Sequence, residues 1–351
     1  MNSKRIATAM KRLGRWTGVR RRMETLCTAL ISAVANYSLF TIICSLFMSC
    51  EYKDLCYDHN HWALATPAFD WSKAPSANPK SMTVLVYDKA SLGSEPERYD
   101  YRLVPPYPEI RLTPGDYQAL TYNNDTETIL LRGLEEPSTV EAYTRTSSIE
   151  EGTMIDTRAQ MPRAAGNEPV ILEPDFLWAG LSEDIHISLD SLYKIKMMPE
   201  PRFVEIDITV KNVPNLKYVG QMGGALTGLA ASIFLETGKL SENTATQAFT
   251  CEAVDGSTIH MKFRCFGHCP YHAEENKNQH VFTLYAVLAD GSKWYYTQDV
   301  SEQMHDPETN PDEYNLYLEL DELPIPKPIV NGSGFQPTID DWQGVEIDVG
   351  M

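Results

Sequence analysis

The chain has 351 residues, 43% hydrophobic, 10% aromatic and 22% charged, which is enough apolar content for one or two cores and too much for a disordered segment. Acidic residues (48) outnumber basic ones (30), giving a net charge of −18 that repels phosphate and excludes nucleic acid as an expected partner. Eight of the basic residues, from Lys4 to Arg22, precede Cys50 with Glu24 as the only acid there, so 22 basic residues face 47 acidic ones from Cys50 onward.

Thr25 to Cys50 carries no charge, is mostly apolar and follows directly on Arg20-Arg21-Arg22. Basic residues followed by an apolar run are the pattern of an export leader. The run ends in Phe47-Met-Ser49-Cys50-Glu51, which resembles the lipobox of bacterial lipoproteins, with Phe47 where Leu is usual. Residues 1–49 are therefore expected to be a signal peptide and Cys50 the acylated N-terminus. Residues 50–56 then form a lipidated tether, the alternative being an uncleaved signal anchor. Cys56, Cys251, Cys265 and Cys269 remain in an exported environment where disulfides form, and their three full pairings stay open.

Strand patterns dominate the rest. Met82–Tyr87, Glu109–Leu112, Asp116–Tyr122, Thr128–Leu131 and Thr139–Tyr143 read as short strands divided by Pro, Gly and Asn-Asn. From Thr144 to Glu173 the apolar density falls, which predicts a long exposed loop containing Arg145, Arg158 and Arg163. Ile185/Ile187/Leu189 alternates with polar residues, and Pro199-Glu-Pro201 reads as a stiff linker. In Phe203–Val210 the residues Val204, Ile206, Ile208 and Val210 point one way, as one wall of an antiparallel sandwich. Period two recurs at Ile259/Met261/Phe263/Cys265, Tyr314/Leu316/Leu318/Leu320 and Val345/Ile347/Val349. Val281–Leu288, Asp290-Gly291 and Trp294–Thr297 spell a hairpin. With no sustained helical period, helices should be few and short. The expected fold is all-β, with β-sandwich domains of about seven strands at 57–198 and 202–351.

The cluster Cys265-Phe-Gly-His268-Cys269-Pro-Tyr-His272, with Cys251 and His260, has residue types that ligate zinc. Cys265 has inward parity and His260 outward, however, so the set does not converge. The expectation is a strand end with a polar turn, or a Cys265/Cys269 or Cys251/Cys269 bridge, and no metal site. Cys56-Tyr-Asp-His59-Asn-His61 is read as part of the tether. Asp306–Glu313 alternates oxygen-bearing residues like a calcium loop, but it has Pro311 where Gly is needed and Tyr317 where a bidentate Glu is needed. Gly220-Gln-Met-Gly-Gly-Ala-Leu-Thr-Gly228 lacks the Lys-Ser/Thr of a phosphate loop and is read as a closely packed β-segment. No nucleophile elbow, His-Glu-x-x-His pair or distinguishable carboxylate pair is present, so no enzyme and no cofactor are expected. Trp178, Trp294, Tyr295, Tyr296 and Trp342 would suit a sugar platform if exposed together, and a core otherwise.

Ser49-Cys-Glu-Tyr-Lys-Asp-Leu-Cys-Tyr-Asp-His-Asn-His61, Phe69-Asp-Trp, Pro75–Pro79, Gly115–Asp125, Pro326–Pro337 and Val345–Val349 together resemble fimbrillin-like lipoproteins of Gram-negative anaerobes, near the anchor or minor subunits of type V fimbriae. The resemblance spans about residues 49–351. It implies two tandem transthyretin-like β-sandwiches, a lipid-anchored place at the outer membrane, and fimbrial subunits as partners joined by strand addition along a sheet edge. The C-terminal strand, Val345 to Val349, ends near Met351 with no long extension to donate, which favours an anchor or tip over a shaft subunit. The alternative expectation is an outer-membrane lipoprotein that binds glycans or nutrients.

Overall fold

The computed structural model describes residues 61–189, 192–268, 280–312, 314–328 and 341–347, with two isolated positions, Ser32 and Val34. All of its strands belong to one unit, Asn60–Met351. In the first part of that unit lie β1 (Ala63–Phe69), β2 (Ser81–Asp88), β3 (Glu97–Arg102), β4 (Ile110–Leu112), β5 (Gly115–Asn123), β6 (Ile129–Arg132), β7 (Glu141–Thr144), β8 (Val170–Ile171), β9 (Trp178–Ile187) and β10 (Leu192–Met197). Then follow β11 (Glu200–Pro201), β12 (Val204–Lys211), β13 (Val219–Ala230), β14 (Ser232–Phe234), β15 (Thr244–Thr250), β16 (Glu252–Ala253), β17 (Ile259–Cys265), β18 (Val281–Leu288), β19 (Lys293–Asp299), β20 (Asn315–Asp321) and β21 (Trp342–Glu346). Two five-residue helices, α1 (Ile149–Thr153) and α2 (Ser301–His305), are the α-helices among the described residues of that unit.

Two sandwiches follow from the alternation. In the first, the sheet β10-β1-β4 faces the sheet β11-β9-β5-β2-β3, and their inward residues, from Ala63 to Met197, share one core. In the second, β16-β17-β12-β20 faces β21-β19-β18-β13-β15-β8 around a core running from Val204 to Ile325. Ile206, Ile208, Val210, Ile259, Met261, Phe263 and Cys265 are all buried there, as the period-two pattern requires. These sheets are mixed where the sequence suggested antiparallel pairing: β20 runs parallel to β12, β21 to β19 and β1 to β10.

The large sheets are covered on their second faces too. The sheet β14-β7-β6 packs Val140, Ala142 and Ile233 against Leu85, Tyr87, Leu120 and Tyr122, which is why β2 reads as an unbroken apolar run. The other cover corrects an expectation. Residues 144–173, expected as an exposed loop, carry α1 and β8 and bury Ile149, Ile155, Met161 and Val170 against Ala225, Ala248 and Tyr285 on the outer face of the six-stranded sheet. Burying those apolar side chains outweighs the local polar composition. Ser148 caps α1 by accepting a hydrogen bond from the Glu151 N–H at 3.1 Å. The glycine-rich run forms the middle of β13, as expected. A Cβ on Gly224 would lie 2.4 Å from the Phe249 ring, and one on Gly223 would lie 2.4 Å from Cβ of Thr153.

Candidate functional site

Cys50, the expected lipid attachment point, lies outside the described residues, as do Cys56, His59, Cys269 and His272. Among the described residues, no helix is long and apolar enough to cross a membrane. Cys251 and Cys265 are free thiols. Burial pushes the Cys265 thiol up to about 12 and raises that of Cys251 as well, so both stay protonated at neutral pH. His260 points away from Cys265, as its parity requires, and lies 2.8 Å from the Asp207 carboxylate on the neighbouring strand β12 of the same sheet.

In the acidic loop, Asp306 and Asp312 spend their carboxylate oxygens on neighbouring groups. Asp306 accepts from the Glu308 N–H at 3.0 Å and from the Thr309 hydroxyl at 2.6 Å, and Asp312 accepts from the Tyr314 N–H at 2.9 Å. Asn310 accepts the Tyr317 N–H at 2.6 Å, while the Gln303 amide donates to the Glu319 carbonyl at 3.2 Å. Those two bonds cap the outer edge of β20. Other edges are blunted differently: β3 is rich in charge, β10 exposes Lys194 and Lys196, and residues 145–147 bond along β8. β21 lies at the end of the six-stranded sheet, and among the described residues no strand pairs with its outer side. Beside it, a cleft of about 1070 Å³ opens between β19, α2 and β20, rimmed by Asp299, Glu302, Asp306, Glu319 and Glu346.

The expected aromatic set does not form one platform. Trp294 and Tyr296 pack on the inner face of the six-stranded sheet, and Tyr295 and Trp342 on its outer face. Trp178 instead stacks on Phe176 with centroids 5.8 Å apart, and the Arg264 guanidinium sits 4.2 Å from the Phe176 ring centre.

Three histidines converge at one end of the second sandwich. His268 follows the end of β17, His280 immediately precedes β18 and His305 closes α2. One ring nitrogen from each lies within 4.8 Å of the others. His280 Nδ1 is 3.0 Å from the Thr227 carbonyl and His305 Nδ1 is 2.5 Å from the Ser301 carbonyl. A carbonyl can only accept, so each Nδ1 carries the proton and each Nε2 presents a lone pair when the ring is neutral. Both Nε2 atoms are buried without a hydrogen-bond partner among the described residues, a cost of about 1–3 kcal/mol each. Burial lowers the pKa of the fully buried His280 to about 4, so that ring is neutral at physiological pH. Sequence reasoning singled out His268 but not His280 or His305.

The architecture is that of an all-β sandwich protein with additional covering layers. The chain belongs to the DUF5119 family, a domain of unknown function whose model matches residues 49–250. It is 25% identical over 198 residues to a protein of Bacteroides ovatus named as a candidate fimbrium anchoring subunit, Fim4B, a match covering 56% of this chain and 54% of that one. The chain thus spans about half the length of this curated relative. The fold is similar to that of a candidate adhesin from Bacteroides ovatus, with a TM-score of 0.53 at 19% identity, covering 76% of this chain and 94% of that one. The fimbrial anchor protein Mfa2 of Porphyromonas gingivalis aligns with a TM-score of 0.45 at 12% identity, over 74% of this chain and 90% of that one.

Proposed function

We propose that the chain is a non-catalytic cell-surface protein of the fimbrial-anchor type. In this reading it is held at the outer membrane by lipid on Cys50 and joined to other fimbrial subunits by strand addition. The observation that carries the reading is the 198-residue likeness to the fimbrium anchoring candidate of Bacteroides ovatus. The outer side of β21, with which no strand pairs among the described residues, supports it, because strand addition needs a row of accessible main-chain groups. Two inner cores, over residues 63–197 and 204–325, favour two tandem sandwich domains, parsed as 57–198 and 202–351 after a signal peptide at 1–49, with the covering layers crossing that boundary: residues 144–173 pack on the second sandwich and β14 on the first.

Deleting the gene and imaging cells by electron microscopy tests the assignment: surface fibres should be lost or shed. Cys50→Ala should abolish lipid labelling, and a variant still labelled would refute the anchoring. The rival reading, a lipoprotein that binds glycans, has Phe176 in its favour, 41% exposed and stacked on Trp178. Unchanged fibres together with sugar binding that Phe176→Ala abolishes would favour it.

A further inference from the structure

We propose that His268, His280 and His305 form a binding site for a divalent transition-metal ion of the zinc type. This departs from the expectation of no metal site. The cysteines that prompted that question are not involved, and two of the three histidines come from elements remote in sequence.

The geometry resembles a prepared ligand set. Ligating imidazoles characteristically donate their second ring nitrogen to a carbonyl or carboxylate, which fixes tautomer and orientation. His280 does this through Thr227 and His305 through Ser301. His280 is held further by its own N–H, which donates to the Ser301 hydroxyl at 2.8 Å, and the adjacent Val281 N–H donates to the Thr227 hydroxyl at 2.8 Å. The ring centres stand 5.1–5.8 Å apart, so the imidazoles surround a common point without stacking face to face. An ion about 2 Å from each nitrogen would draw the three to roughly 3.4 Å apart, well within what side-chain rotation provides from the present spacing.

The chemistry selects the ion. Three imidazole nitrogens with no thiolate suit Zn²⁺ and its neighbours Co²⁺, Ni²⁺ and Cu²⁺, whereas Mg²⁺ and Ca²⁺ want oxygen ligands. Access is open on one side, where a cleft of about 760 Å³ is lined by His268 and His305 together with Arg202, Asn310 and Asp312. It offers an entry path and room for water in a fourth position. An ion here would tie the end of β17, in the four-stranded sheet, to the start of β18, in the six-stranded sheet, and both to α2.

The test uses the purified full chain in detergent after chelator treatment, titrated with Co²⁺ and then Zn²⁺. The expected result is one equivalent of Co²⁺ with visible d–d absorption, displaced by Zn²⁺ but not by Mg²⁺ or Ca²⁺, and a Tm that rises with Zn²⁺. His305→Gln and His268→Gln should each weaken binding at least about 100-fold, the upper end of what outer-shell partners alone command, and remove the Tm rise. His280→Asn should do the same, and if that variant does not fold the other two decide. Absence of stoichiometric binding by the wild-type chain would overturn the proposal, as would wild-type affinity in both glutamine variants.

Discussion

Replacing Arg202 by Met keeps most of the apolar stem but removes a guanidinium that ties the segment joining the two sandwiches to the turn after β14. The Arg202 side chain is 7% exposed. Its Nε donates to the Leu235 carbonyl at 3.1 Å, Nη1 to the Pro201 carbonyl at 3.3 Å and Nη2 to the Glu236 carbonyl at 3.4 Å, while Nη1 also lies 3.3 Å from the Glu200 carboxylate. Leu235 is fully buried, so orphaning its carbonyl should cost about 1–3 kcal/mol. The other two carbonyls belong to half-buried residues that water reaches more easily, adding roughly 0.5 kcal/mol each. The pair with Glu200 is partly screened and adds at most about 1 kcal/mol. Arg202→Met is therefore expected to destabilise the fold by about 2–5 kcal/mol, seen in urea as a lower midpoint at unchanged m-value. A loss below about 1 kcal/mol would refute the claim that this buried cation organises the junction.

Gly224→Ala should cost about 1–3 kcal/mol in thermal or urea unfolding, because the new Cβ meets a Phe249 ring held against Phe263 with centroids 4.0 Å apart; an unchanged Tm would contradict this packing. Glu141 has its carboxyl pKa held below the ordinary value of 4.5 chiefly by the Arg132 hydrogen bond, with burial opposing and the Ser232 hydroxyl helping. Its stabilisation should thus be complete above about pH 4.5 and fade as pH falls through the lowered folded value, so Glu141→Gln should flatten that acid limb of the stability curve. Cys265, protonated and wholly buried, should react with a thiol reagent at pH 8 only as fast as the fold opens, as peptide mapping of the labelled chain can show.

What the sequence made legible follows from burial on one or two faces. Val204–Val210 and Ile259–Cys265 are legible because each strand faces its core with every second residue. β1 is not legible in the sequence because Pro67 interrupts it. The proline is tolerated because β4 pairs only with Ala63–Ala65, leaving the chain near Pro67 unpaired on that side. Ile149, Ile155 and Met161 are too widely spaced to show a period, and their burial depends on a sheet far along the chain. Nor could spacing reveal the histidine cluster: positions 268, 280 and 305 share no repeat, and only the meeting of a strand end, a strand start and a short helix brings them together.

The distribution of edge protection narrows where strand addition could act. β20 has the most regular alternation of any edge strand here, yet Asn310 and Gln303 occupy its outer main-chain groups, so pairing there would first require breaking those bonds. β3 and β10 meet an incoming strand with charge. β21 lacks such a device among the described residues, and its parallel register with β19 is held closely: a Cβ on Gly344 would fall 2.4 Å from the Tyr295 hydroxyl oxygen. An added strand would extend a sheet already covered on both faces. Toward Val345 and Ile347 it would meet the inner core, and toward Trp342 the outer layer. The proposed partner strand should therefore be apolar on both faces near the middle of the contact, unlike the half-polar strands of this chain's four-stranded sheet.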